Sequence, residues 1–118
     1  MKTKQWFLYL IRCGNGRLYT GITTDGKRRF EEHKNGDKRS AKYLRGKGPL
    51  EMVMIKKIGS QGTALKIEAI VKKMPKFKKE MLVDGKITVT EIMETLNTAL
   101  KEKRPINILH DNTTAWLQ

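Results

Sequence analysis

Tyr9, Tyr19, Arg29 and His33 fall within one short segment, YLIRCGNGRLYTGITTDGKRRFEEH, and their types suit work on a phosphate ester. A phenol orients an oxyanion or a water and accepts a proton once ionised. A guanidinium matches phosphate oxygens with a planar fork of donors. An imidazole gives or takes a proton near neutral pH. Arg29 and His33 are four residues apart, so on a helix they share a face. Farther along, Glu68 adds carboxylate oxygens of the kind that hold a hard divalent cation. Lys42, Arg45 and Lys47 sit in a glycine-punctuated stretch, KYLRGKGP, that can approach a phosphate backbone closely. That stretch lacks P-loop spacing. Each group also has an ordinary reading. Arg29 and His33 could lie on a solvated basic face, and the tyrosines could be half-buried strand residues. Glu68 could pair with Lys72 at i+4, and the basic loop could be solvated.

Positioning these groups takes a hairpin followed by a helix. WFLYLIR (6–12) is short and rich in aromatic and aliphatic residues, as a buried strand is. CGNGR (13–17) turns, with Asn15-Gly16 as the hairpin signal, and RLYTGITT (17–24) returns. The loop length decides which way the tyrosines face. A two-residue Asn15-Gly16 turn puts them on opposite faces. A three-residue Gly14-Asn15-Gly16 loop pairs Tyr9 with Gly21 and Ile11 with Tyr19, all on one face. The third glycine makes this longer loop feasible, and Gly21 would then leave space beside Tyr9 for a ligand.

Thr24 or Asp25 caps a helix over 26–36, ended by Asn35-Gly36, with Phe30 able to anchor it to the sheet. A basic connection spans 37–49. LEMVMIKKI (50–58) reads as a third strand. A helix over 59–74 follows, opened by Ser60 or Thr63. On it Ala64, Leu65 and Val71 put Glu68 at or beside the apolar stripe, where carboxylates are seldom left unpaired. A short helix over 76–85 is stopped by Gly85. TVTE (88–91) has capping-box spacing and opens a helix with Val89, Ile92, Met93, Leu96 and Leu100 on one face, ended by Pro105. INIL (106–109) is a short strand or an extended segment. The order β-β-α-β-α-α plus an appended helix is an α+β fold, a small, mostly antiparallel three-stranded sheet flanked by helices.

The 118 residues suit one domain at 1–86 and an extension at 87–118 whose amphipathic helix packs on it. The net charge is +13, and it is uneven: 22 basic and 8 acidic residues fall in 1–86, against 3 and 4 in 87–118. The first part therefore attracts polyanions, nucleic acid before anionic membrane, since no basic amphipathic helix stands out. Cys13 is the only cysteine, which excludes an internal disulfide framework. No apolar run has the length of a membrane span. The N-terminal apolar run is interrupted by Arg12 and lacks a cleavage site, so it reads as a strand rather than a signal peptide. A cytoplasmic monomer is the expectation.

The two triplets Phe7-Leu8-Tyr9 and Tyr19-Thr20-Gly21, then D-x-x-x-R-x-x-x-H over Asp25, Arg29 and His33, then a helical Glu68, resemble the GIY-YIG nuclease superfamily. TGITTDGKRRFEEH and KYLRGKGPLEMV are similar to its small stand-alone bacterial members. The resemblance covers residues 5–84. It implies hydrolysis of phosphodiester bonds in nucleic acid, DNA before RNA, with one divalent metal, Mg²⁺ or Mn²⁺, held by Glu68. It implies further that Arg29 neutralises charge on the phosphoryl oxygens. Tyr9 would position or deprotonate the attacking water, Tyr19 would orient phosphate or water, and His33 would act as a proton acceptor or hydrogen-bond partner. Weak, non-specific or structure-selective cutting is expected over sequence-specific cutting, and repair or nucleic-acid turnover would fit the family. Two departures stand out: Phe7-Leu8 replaces Gly-Ile, and no Asn follows Glu68 before Asn97. A catalytically silent nucleic-acid-binding module is the alternative. An adaptor using exposed Ile92, Leu96 and Trp116 is a third reading.

Overall fold

The computed structural model describes residues 4–36 and 41–102. The expected INIL strand and Trp116 lie outside them. The described chain runs β1 (Trp6–Arg12), β2 (Leu18–Thr23), α1 (Gly26–Asn35), a 3₁₀ turn (Lys42–Leu44), β3 (Glu51–Gly59), α2 (Gln61–Lys72), α3 (Lys76–Val83) and α4 (Val89–Glu102). The three strands form one antiparallel sheet in the order β2-β1-β3.

β1 is central, and elements cover both of its faces. Leu8, Tyr9, Leu10 and Ile11 are consequently all buried, with no polar alternation. One face meets α2, α3 and α4: Leu8 and Leu10 cluster with Ile67, Val71, Leu82, Ile92 and Leu96. The opposite face gathers Tyr9, Ile11, Cys13 and Leu44, with Tyr19 and Phe30 packed against them. This second, smaller cluster underlies the candidate site.

The hairpin takes the three-residue loop. Tyr9 pairs with Gly21, Ile11 with Tyr19 and Arg12 with Leu18. The Cys13 amide donates to Arg17 O at 2.8 Å and closes the loop, and Gly16 adopts φ 86° there. Gly14 has a separate duty: its amide donates to Lys47 O at 2.8 Å, and a side chain there would overlap the Gly48 carbonyl. The third glycine thus seats the basic loop on the hairpin.

Asp25 is the cap of α1, accepting from the Arg28 amide at 3.1 Å, and Gly36 closes the helix in the left-handed conformation. Ser60 caps α2, one of the two expected openings, and Gly59 ends β3 with φ 126°. In α4 the Thr88 hydroxyl accepts from the Glu91 amide at 3.2 Å. Its buried face runs Val89, Ile92, Leu96, Ala99, so Leu100 is exposed instead of facing the core. Ile92 and Leu96 lie in the core with Leu8 and Leu10, which removes the exposed apolar face that an adaptor reading requires. No helix among the described residues is long and apolar enough to cross a membrane.

Candidate active site

The register places Tyr9 and Tyr19 on one face of the sheet, and α1 lies over that face. Phe30 packs into the cluster beneath and carries His33 inward, where it is 1% exposed. His33 Nε2 lies 2.9 Å from the Tyr9 phenolic oxygen. Its other nitrogen, Nδ1, accepts from the Ala41 amide at 3.1 Å. An amide is only a donor, so the neutral ring carries its proton on Nε2 and donates it toward Tyr9. In this tautomer both ring nitrogens are engaged, Nε2 as a donor to Tyr9 and Nδ1 as an acceptor from Ala41.

Arg29 acts on the same phenol, its donors and charge drawing the phenol's pKa down, so two donor groups bear on one oxygen. Burial nevertheless pushes the phenol up to about 12, and Tyr19 adds to the rise. Arg29 pulls the other way through its hydrogen bond and charge, while the charge of Glu68 raises the value further. Tyr9, Tyr19, Arg29, His33 and Glu68 therefore fall within one electrostatic neighbourhood. The rings form a continuous group. The Tyr9 and Tyr19 centroids are 6.3 Å apart, Tyr19 and His33 5.7 Å, and Tyr9 and His33 5.9 Å.

Two residues here were not singled out from the sequence. Glu32 accepts from Arg29 at 3.1 Å and lies 3.9 Å from Arg28, so it fixes where the Arg29 guanidinium points. Its i+3 spacing from Arg29 was the available signal. Tyr43 stacks on Tyr19, with centroids 5.9 Å apart and planes at 19°. It sits inside the basic KYLRGKGP stretch, and an aromatic among cations was the signal. Lys47 holds its ammonium 4.9 Å from the centre of the Tyr43 ring, while Lys42 and Arg45 are exposed.

The space expected above Gly21 is not open. A side chain there would overlap the Tyr9 phenol, because the pairing of Tyr9 with Gly21 lets that ring lie flat over the glycine. The glycine accommodates Tyr9 itself, not a ligand.

Glu68 lies beside the buried stripe of Ala64, Ile67 and Val71, and its side chain is 17% exposed. Lys72 stands 3.5 Å from it, so the ordinary ion pair is present. No group of three or more His, Cys, Asp or Glu side chains able to hold a metal occurs among the described residues. A lone carboxylate fits a hard cation that keeps most of its ligands as water and phosphate oxygen. The long pair with a half-exposed lysine is weak and displaceable, so Glu68 fits that role.

The sequence matches the model of the GIY-YIG catalytic domain over residues 5–80, a stretch that contains both tyrosine triplets, Arg29, His33 and Glu68. The chain belongs to the GIY-YIG family. This is a family of endonuclease-type hydrolases acting on nucleic acid. A UPF0213 protein of Cronobacter sakazakii is 51% identical over 84 residues, covering 71% of this chain and 86% of that protein. A UPF0213 protein of Klebsiella pneumoniae is 47% identical over 97 residues, covering 82% of this chain and 86% of its own. The UPF0213 protein YhbQ of Escherichia coli K12 is 45% identical over 93 residues, with 79% and 91% covered. A solution NMR structure of a UPF0213 protein from Bacillus halodurans is 39% identical, with TM-score 0.44, covering 68% of this chain and 83% of that one.

Proposed function

We propose that this GIY-YIG protein is a metal-dependent endonuclease that hydrolyses phosphodiester bonds of DNA. The observation that carries this reading is the convergence of His33 Nε2–H and Arg29 on the Tyr9 oxygen, with the Glu68 carboxylate close enough to act on the same phenol. Two donors aimed at one oxygen offset part of the burial that pushes this phenol up to about 12, and so favour the phenolate, the form able to take a proton from water. Arg29 then serves a phosphoryl group in the same place, since a guanidinium held by Glu32 has further donors to offer. Tyr19 supports the phosphate from beside Tyr9. Glu68 would hold one Mg²⁺ or Mn²⁺, which when bound supplies charge neutralisation at the leaving oxygen.

Lys42, Arg45 and Lys47 are backbone-contacting cations that carry no sequence information, which favours selection by nucleic-acid shape and fits a role in repair. The proposed working form is a cytoplasmic monomer.

A second reading, a catalytically silent binding module, is favoured by one specific observation: Tyr9 is 1% exposed and Glu68 is already paired with Lys72. A cleavage assay separates the two. Linear, single-stranded and branched DNA and an RNA are incubated with the protein in Mg²⁺, Mn²⁺ or EDTA, beside Glu68→Ala and Arg29→Ala. Metal-dependent cutting lost in both variants supports the endonuclease. Binding without cutting on every substrate, or cutting that survives Glu68→Ala, leaves the binding module.

A further inference from the structure

Beside the catalytic group lies a cleft of about 380 Å³ lined by Arg17, Leu18, Tyr43, Lys76 and Lys79. It runs between the hairpin end of β2, the 3₁₀ turn and the start of α3. Its size is near the lower end of the roughly 300–1,000 Å³ range of small-molecule sites, room for one nucleotide unit and not for a duplex.

Its lining combines two chemistries. Tyr43 is 40% exposed and supplies an aromatic wall. Arg17, Lys76 and Lys79 supply cations, and no acidic side chain lines the cleft. Among the described residues, neither the Arg17 guanidinium nor the Lys79 ammonium has an acidic partner within ion-pair distance. Lys76 reaches Glu80 only at 3.5 Å, and Glu80 is already held by Arg12 in a two-bond fork at 2.6 and 2.7 Å. Burial, and then the charge of Lys72, lower the Lys79 pKa, the mark of a cation gathered with like charge and little counter-charge. An anion entering the cleft supplies the missing counter-charge.

The cleft also adjoins the catalytic group, since its Tyr43 wall stacks on Tyr19. The charge of Lys72, the partner of Glu68, acts on Lys79. A strand whose phosphate lies over Tyr19 therefore has Tyr43 as its next aromatic surface.

We propose that this cleft is a nucleotide subsite flanking the scissile phosphate, in which a base stacks on Tyr43 in place of the Lys47 ammonium while the neighbouring phosphate is held by Arg17, Lys76 and Lys79. The assignment deepens the endonuclease reading and rests on it for the position of the cut. The aromatic wall is what selects a nucleic-acid strand over a polyanion without bases.

The test is fluorescence anisotropy of the full chain with a labelled twelve-residue oligothymidylate and with an abasic oligomer of the same length, in EDTA. Tyr43→Ala is expected to weaken the oligothymidylate about ten-fold, the scale of one base–aromatic stack, and the abasic oligomer less than about two-fold. Tyr43→Trp is expected to bind the oligothymidylate at least as tightly as the parent. The double variant Arg17→Ala/Lys79→Ala is expected to flatten the slope of log affinity against log salt by about 1.4 on both oligomers, two lost phosphate contacts. Equal losses on the two oligomers from Tyr43→Ala would mean that the tyrosine is only a brace for Tyr19, and the subsite fails. An unchanged salt slope in the double variant overturns it as well. Should Tyr43→Ala lose its circular-dichroism signal, Tyr43→Trp and the double variant decide alone. Because binding in EDTA needs no cutting, the two ideas fail separately. Absence of cleavage on every substrate, with these binding differences intact, removes the endonuclease and keeps the nucleotide subsite.

Discussion

The Tyr9 phenolic oxygen accepts from His33 Nε2–H at 2.9 Å, and the direction of that bond is set on the far side of the ring by the Ala41 amide. A backbone group eight residues downstream thus fixes the tautomer of His33 and, through it, the polarity around Tyr9. The His33 donor favours an anionic phenol against the burial that opposes it, because the neutral imidazole presents its donor and keeps its acceptor occupied.

Removing the ring should therefore affect both stability and chemistry. His33→Ala leaves a buried void and takes away the ring acceptor of the Ala41 amide, and about 2–4 kcal/mol of destabilisation is expected from the two effects. His33→Gln should recover part of it. Chemical denaturation measures the difference, and a loss below about 0.5 kcal/mol would show that the ring is not packed as described.

Tyr9 should ionise late. Burial, chiefly, pushes it up to about 12. In the unfolded chain it ionises near about 10. The native state keeps its proton where the unfolded state has released one, so the resulting stability is fully present below about pH 10 and is lost as the pH rises toward 12. An ultraviolet titration of phenolate absorbance should show a late step that Tyr9→Phe deletes and that Arg29→Ala moves higher, since Arg29 pulls the value down. If Tyr9 takes the proton in the reaction, cutting should climb about ten-fold per pH unit between neutral and pH 9 or so. A flat profile would assign the proton to another group.

Gly21 is predicted to tolerate no side chain. In Gly21→Ala the new methyl group would overlap the Tyr9 ring, and the ring can yield only by leaving His33. Overpacking of this kind costs about 1–3 kcal/mol. The cutting activity should fall with it. A variant as stable and active as the parent would mean that Tyr9 has another seat.

These relationships were unequally legible in the sequence. The elements were visible because their signals are local: Asn15-Gly16 for the hairpin, Asp25 and Gly36 for the ends of α1, Ser60 for α2 and TVTE for α4. The face shared by Tyr9 and Tyr19 was legible only as one of two loop alternatives. What decides between them is nonlocal: the Gly14 amide bonds to Lys47 and the Gly14 backbone lies against Gly48. The tautomer of His33 was invisible for the same reason, since it depends on a backbone donor in another segment. Glu32 and Tyr43 carried local signals, but their meaning comes from what they touch, the Arg29 guanidinium and the Tyr19 ring. Gly21 was assigned a void because a glycine is small, and its partner fills that void because the pairing brings Tyr9 directly across from it.

The Arg12–Glu80 fork ties the end of β1 to α3 and so helps set the distance between the hairpin and the helix that bears Lys76 and Lys79. The side chains are about three-tenths exposed, so the pair is screened and worth about 1 kcal/mol at most. Its sign with pH is fixed. The Arg12 hydrogen bond, outweighing partial burial, holds the Glu80 carboxyl below the usual carboxylate range. The stabilisation is therefore present above the unfolded carboxylate value and fades as the pH falls through the lower folded one. Glu80→Gln should lose stability against the parent at pH 7, and the two should converge in denaturant midpoint under acid, below about pH 4. The same substitution frees Lys76 from Glu80. If the fork matters only for stability, the oligothymidylate salt slope of Glu80→Gln should match the parent. If it also restrains Lys76 and α3, the slope should steepen as one more cation becomes available to phosphate. A gap between Glu80→Gln and the parent that persists unchanged into acid would show that the fork is not what joins β1 to α3.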